Sequence, residues 1–172
     1  MMKTTPWAWI PTLYFAEGLP NIIVTALAVF MYMQMGLSDA DVALYSGWLC
    51  LPWVLKPLWS PFIDILKTKR WWILTMQMLI GGALAGIAFT LPTAFWFQGT
   101  MFFFFSMAFA SATHDIAADG YYMLMLDEHN QTKYVGLRNT FYRLAVVFVN
   151  AGLAKVADKL ETYFHMSVVY TW

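Results

Sequence analysis

Charge and cysteine are both scarce in this chain. Only 12% of its 172 residues are Asp, Glu, Lys or Arg, whereas an ordinary soluble domain carries about a quarter. A water-soluble surface cannot be assembled from so few. Neither sign is in excess, because ten Lys and Arg balance ten Asp and Glu. A nucleic-acid reader needs an uncompensated basic face, so no nucleic-acid partner is expected. The single cysteine, Cys50, excludes an internal disulfide, and no second Cys or clustered His supplies a thiolate metal site. No Gly-rich phosphate loop, serine elbow or His-Glu-x-x-His occurs, which removes support for an ATPase or a membrane protease. Neither enzymatic activity nor a cofactor is expected.

The chain is instead rich in apolar and aromatic side chains. Hydrophobic residues make up 60% of it and aromatic ones 19%, with nine Trp, nine Tyr and fourteen Phe. That composition suits a protein meeting lipid headgroups at several interfaces, and the lipid bilayer is its first expected partner. The N-terminal apolar stretch contains Glu17, lacks a small-x-small cleavage site and continues to Gln34. This is too long for a signal-peptide core, and the stretch reads as a retained helix.

Apolar segments predict an all-α integral membrane protein with helices at about 7–35, 42–65, 71–91, 95–126 and 135–156. The first rises about 40 Å, enough to cross a hydrocarbon core of about 30 Å with tilt. The second holds Pro52, Pro57 and Pro61, so a bent or broken helix is predicted there. Residues 163–172 read as the start of a sixth helix, too short to span, as though the chain stops in mid-architecture. Lys67, Lys69 and Arg70 lie between the second and third segments, and Lys133 and Arg138 between the fourth and fifth. The loops at 36–41 and 91–94 carry no basic residue. The positive-inside rule therefore places the N-terminus and the basic loops in the cytoplasm.

Ionisable residues inside apolar segments each cost several kcal/mol unless paired or hydrated, so they are the candidates for function. These are Glu17, Lys56, Asp64, His114, Asp115, Asp119 and Arg143. Helical spacing groups Tyr14, Glu17, Gly18, Asn21 and Thr25 on one face of the first helix. Ser111, Asp115, Asp119 and Tyr122 share a face of the fourth, and Asn139, Arg143 and Asn150 a face of the fifth. Three such stripes should converge on a water-accessible interior. Glu17, Asn21, Lys56, Asp115 and Arg143 are the candidates for a substrate or proton pathway, with structural pairing as the alternative. Asp64, Lys67, Lys69, Arg70, Asp119 and Arg138 lie near the water boundary and read as a cytoplasmic gate. Asp115, or less favourably Asp119, is expected to pair with Arg143 across a short 128–134 connection. His114 reads as a hydrogen-bonded interior histidine. A metal held by His114, Asp115 and Asp119 is not expected, because no further His, Asp or Glu follows at ligand spacing in that helix.

Four blocks carry a resemblance. Phe15-Ala16-Glu17-Gly18-Leu19-Pro20 is the first, and Leu51-Pro52-Trp53-Val54-Leu55-Lys56-Pro57-Leu58-Trp59-Ser60-Pro61 the second. The third is Ala112-Thr113-His114-Asp115-Ile116-Ala117-Ala118-Asp119-Gly120-Tyr121, and the fourth Tyr142-Arg143-Leu144. Together with Asp64 and the basic run Lys67, Lys69 and Arg70, they resemble the major facilitator superfamily, and within it the AmpG-type muropeptide permeases and acetyl-CoA transporters. His114 stands where that family usually has Gln, and Ser60 or Pro61 where the superfamily loop opens on glycine. The resemblance implies the N-terminal half of a twelve-helix carrier, with five transmembrane helices and the start of a sixth. It also implies a C-terminal half as partner, proton-driven import of a cell-wall sugar-peptide by alternating access, and residence in a bacterial inner membrane. The competing class is a non-transporting membrane scaffold or signalling subunit whose charges are only structural pairs. Sugars and acetyl-CoA are the alternative solutes.

Overall fold

A computed structural model describes residues 5–153 together with 155, 156 and 159. Every regular element among them is helical. A continuous first helix comprises α1 (Pro6–Ile22), a π-helical turn (Ile23–Leu27) and α2 (Ala28–Gln34). The wide turn follows Pro20, whose missing N–H leaves a carbonyl of the preceding turn without its usual donor. Gly36 ends the helix at φ 90°. Its N–H donates to Met33 O at 3.1 Å and that of Leu37 to Tyr32 O at 3.1 Å, closing the orphan carbonyls in a Schellman arrangement.

Side-chain caps start the next helices. Ser38 Oγ accepts from Asp41 N at 3.2 Å and opens α3 (Asp39–Leu55). A 3₁₀ turn at Lys56–Leu58 and a short α4 (Ser60–Ile65) follow, so the break falls at the second proline of that segment, while Pro52 stays inside α3. Thr68 Oγ1 accepts from Trp71 N at 3.2 Å and opens α5 (Lys69–Thr90). After a tight turn comes α6 (Trp96–Met125). Asp127 then accepts from Asn130 N at 2.8 Å and opens α7 (Glu128–Val147), which runs into a π-helical Phe148–Leu153.

The last helix thus begins seven residues before the expected 135, and the 128–134 connection is itself helical. Hydropathy marks where a helix enters the lipid, whereas the Asp127 cap marks where it starts. Among the described residues, three helices are long and apolar enough to cross a membrane: Pro6–Gln34, Lys69–Thr90 and Trp96–Met125. The 17-residue α3 stops at its 3₁₀ break, and the first turns of α7 are polar, so the expected five spans are not reached on length and apolarity alone. The expected stub at 163–172 lies outside the described residues.

α6 is the hub, packing against α1, α3, α4 and α5, while α7 packs along α1. Lipid tails are as apolar as Leu, so helix association rests on close van der Waals fit at small residues. A Cβ on Gly86 would lie 2.4 Å from the Phe103 ring, and one on Gly18 2.9 Å from both Ala145 Cβ and Tyr142 O. Two apolar clusters result. One gathers Val24, Met31, Tyr32, Ile87, Phe104 and Met107, and the other Ile10, Tyr14, Ile63, Ile73, Ile116 and Tyr122.

Candidate functional site

A polar layer lies between the two apolar clusters. Glu17 on the first helix is 11 residues from Pro6 and 17 from Gln34, and His114 on α6 is 11 from Met125 and 18 from Trp96. Both therefore sit about 17 Å from one end of their helix and about 26 Å from the other at 1.5 Å per residue. Glu17 is 6% exposed and its Oε2 has no hydrogen-bond partner among the described residues. His114 is fully buried; its Nε2 lies 3.3 Å from the Gln77 side-chain amide of α5, and its Nδ1 has no partner among the described residues. Glu17, His114 and Asp115 each place one ligand-capable atom within 4.8 Å of the others. The carboxylate missing from the sequence reading of a His114–Asp115 metal site thus comes from a different helix. It is Glu17, and Asp119 is not a member.

Lys56, in the 3₁₀ break, lies with Nζ 3.5 Å from Asp115 Oδ2. Proline chemistry accounts for the placement: ending α3 at Leu55 turns the chain toward α6 at the level of Asp115. Beside it, Trp59 Nε1 donates to Thr113 Oγ1 at 3.2 Å. One turn further along α6, Asp119 Oδ1 accepts from Arg138 Nη2 of α7 at 2.8 Å and from the Tyr14 hydroxyl at 3.3 Å. The Arg138 guanidinium lies over the Tyr14 ring at 4.6 Å and over Tyr122 at 5.8 Å. This cation is stacked as well as paired, an arrangement suited to a planar guanidinium. Nearer the loop end, Lys69 pairs with Asp64.

The expected Asp115–Arg143 pair does not form. Lys56 takes Asp115 and Arg138 takes Asp119, while Arg143 is exposed and has no ion pair among the described residues. Asn139 and Asn150 are exposed on the same helix, so the α7 stripe does not join those of the first helix and α6. Asn21 is half-buried one turn beyond Glu17, with its backbone carbonyl accepting from Thr25 Oγ1 at 2.8 Å. Lys67 and Arg70, also assigned to the gate, are exposed and form no ion pair among the described residues. Sequence reasoning passed over Gln77, and gave Trp59 and Thr113 no role beyond the blocks that carry the resemblance. Gln77 was detectable as a lone amide within an apolar helix, by the rule used for the charged residues.

Residues 17–142 match the BT1 family, a stretch running from the buried glutamate to the α7 residue packed beside Gly18. An uncharacterized protein of Schizosaccharomyces pombe is 27% identical over 147 residues, covering 76% of this chain and 28% of that protein. An uncharacterized membrane protein of Saccharomyces cerevisiae is 22% identical over 178 aligned residues, covering 86% of this chain and 32% of that protein. The chain thus spans about a third or less of the length of these curated relatives. No solved structure matches it. With apolar helices of membrane-crossing length and a family match over more than two-thirds of its residues, the chain belongs to the BT1 family, a family of membrane transporters.

Proposed function

We propose that this chain is the N-terminal part of a proton-coupled secondary transporter of the major facilitator type, working by alternating access. The observation that carries this reading is the layered set of ionisable groups on converging helices. Glu17, Lys56 and Asp115 lie at mid-depth, and the Asp119–Arg138 and Asp64–Lys69 pairs lie toward one end. Carriers of this kind need a site near the midplane and a closure on one side. The deeper group is the solute and proton pathway, with Asn21 beside Glu17 and Arg143 available on α7. The outer pairs, with Lys67 and Arg70, are the gate. A C-terminal half would complete the site, cover the exposed Asn139, Arg143 and Asn150, and bring the span count to that of a full carrier.

The N-terminus and the basic stretch from Lys67 to Arg70 are assigned to the cytoplasm by their charge. Cell-wall muropeptide as solute, and the bacterial inner membrane as location, rest on the resemblance of the four sequence blocks; the two relatives named above are fungal. The test is uptake by the full-length protein reconstituted in vesicles under an imposed pH gradient. Labelled anhydro-muropeptide is compared with sugar and acetyl-CoA. Accumulation that collapses when the gradient is dissipated is expected, and should be lost in Glu17→Gln. Absence of gradient-driven uptake for all three solutes would overturn the carrier reading in favour of a scaffold.

A further inference from the structure

We propose that Glu17, His114 and Asp115 hold one divalent first-row transition-metal ion inside the bundle. Their ligand-capable atoms lie within 4.8 Å of one another. A small side-chain rotation would bring them to the spacing of about 3–4 Å that ligands at about 2.0–2.2 Å from one ion require. The second, independent observation is that two of the three groups are buried with an atom unused. Glu17 Oε2 and His114 Nδ1 have no partner among the described residues, although Glu17 is 6% exposed and His114 0%. Such groups ordinarily find a partner in a protein or mark a missing ligand.

The surroundings fit an ion. The Gln77 amide lies 3.3 Å from His114 Nε2. With its oxygen turned to the ring, a choice that heavy-atom positions do not distinguish, it accepts the Nε2 proton and leaves the Nδ1 lone pair for the metal. That is the outer support a metal-bound imidazole requires. Two carboxylates balance a divalent charge and the imidazole adds a neutral donor. The nitrogen favours Zn²⁺, Fe²⁺ or Ni²⁺ over Mg²⁺ and Ca²⁺, which prefer oxygen shells. Lys56 is the competing cation on Asp115. Its contact is long at 3.5 Å and its side chain is 31% exposed, so it is free to swing outward when an ion arrives. Gln77 also lines a groove of about 530 Å³ between α1 and α5, with Thr12 and Arg70 on its walls.

The test is calorimetric Zn²⁺ titration of the full-length, tag-free protein in nanodiscs. One ion per chain is expected, undiminished by excess Mg²⁺. Binding should be lost in Glu17→Gln and His114→Gln and retained in His129→Gln, which alters an exposed histidine. Gln77→Leu removes no ligand and should weaken binding about 10–100-fold. Lys56→Met should tighten it severalfold, a gain that misfolding cannot imitate. Failure of the wild-type protein to bind, binding that survives His114→Gln, binding lost in His129→Gln, or an unchanged or weaker Lys56→Met site would each overturn the assignment. None of these readouts depends on solute uptake, so the carrier reading stands or falls separately.

Discussion

Lys56 Nζ lies 3.5 Å from Asp115 Oδ2, and this contact joins a 3₁₀ break in one hydrophobic segment to the second half of α6. The side chains are 31% and 14% exposed, so the pair is only partly shielded from water. A double-mutant cycle in detergent with Lys56→Met and Asp115→Asn should give a coupling of about 0.5–3 kcal/mol, as for groups in direct contact. The cycle of Asp115→Asn with Arg143→Ala should be additive within about 0.5 kcal/mol. Coupling to Arg143 instead of Lys56 would restore the pairing expected from sequence.

Arg138 is held by both a carboxylate and two aromatic rings, so charge alone should not replace it. Arg138→Lys keeps the charge but gives up the planar stacking. We expect it to loosen the α1–α7 contact nearly as much as Arg138→Ala, read as an equal loss of stability in thermal melts. Tyr14→Phe keeps the ring and loses only the 3.3 Å bond to Asp119, and should cost about 0.5–1.5 kcal/mol. A lysine variant that melts with the parent protein would show that charge alone suffices.

Gly18 and Gly47 should respond in opposite ways to a methyl group. At Gly18 the new Cβ would meet Ala145 Cβ and Tyr142 O at 2.9 Å, and Gly18→Ala should destabilise by about 1–3 kcal/mol through overpacking. At Gly47 nothing lies within 4 Å, and Gly47→Ala should stabilise α3 by about 0.5–1 kcal/mol. Thermal melts of the two variants decide the matter. Equal shifts would mean that α1 and α7 do not approach as closely as described.

Lys67 adopts φ 60° in the turn before α5. Side chains are unfavourable in that left-handed region, so Lys67→Gly should gain about 1 kcal/mol in a thermal melt. The topology can be read at neighbouring positions. Ser38 and Thr68 cap helices, and cysteines there would cost about 1 kcal/mol each, so Asp39→Cys and Leu66→Cys in Cys50→Ala are the better probes. Asp39→Cys should label from outside and Leu66→Cys from the cytoplasm; the reverse would invert the orientation.

The sequence by itself determined the helical membrane class, because 60% apolar residues with only 12% charged ones leave few other ways to satisfy the backbone. It also singled out the ionisable residues at depth, since Glu17, Lys56, Asp115 and Asp119 are conspicuous in apolar surroundings. Periodicity placed Tyr14 with Glu17, and Asp115 with Asp119, on common faces. Which face meets which lay beyond it. The partner of Asp115 was decided by the 3₁₀ break that turns Lys56 toward α6, and that of Asp119 by the packing of Tyr14 and Tyr122 around Arg138. The joining of Glu17 to His114, 97 positions apart in the chain, depended on how α1 and α6 cross. Helical spacing constrains neighbours three and four residues away, whereas pairs between helices depend on rotation and depth, and these were decided by the fit of side chains in three dimensions.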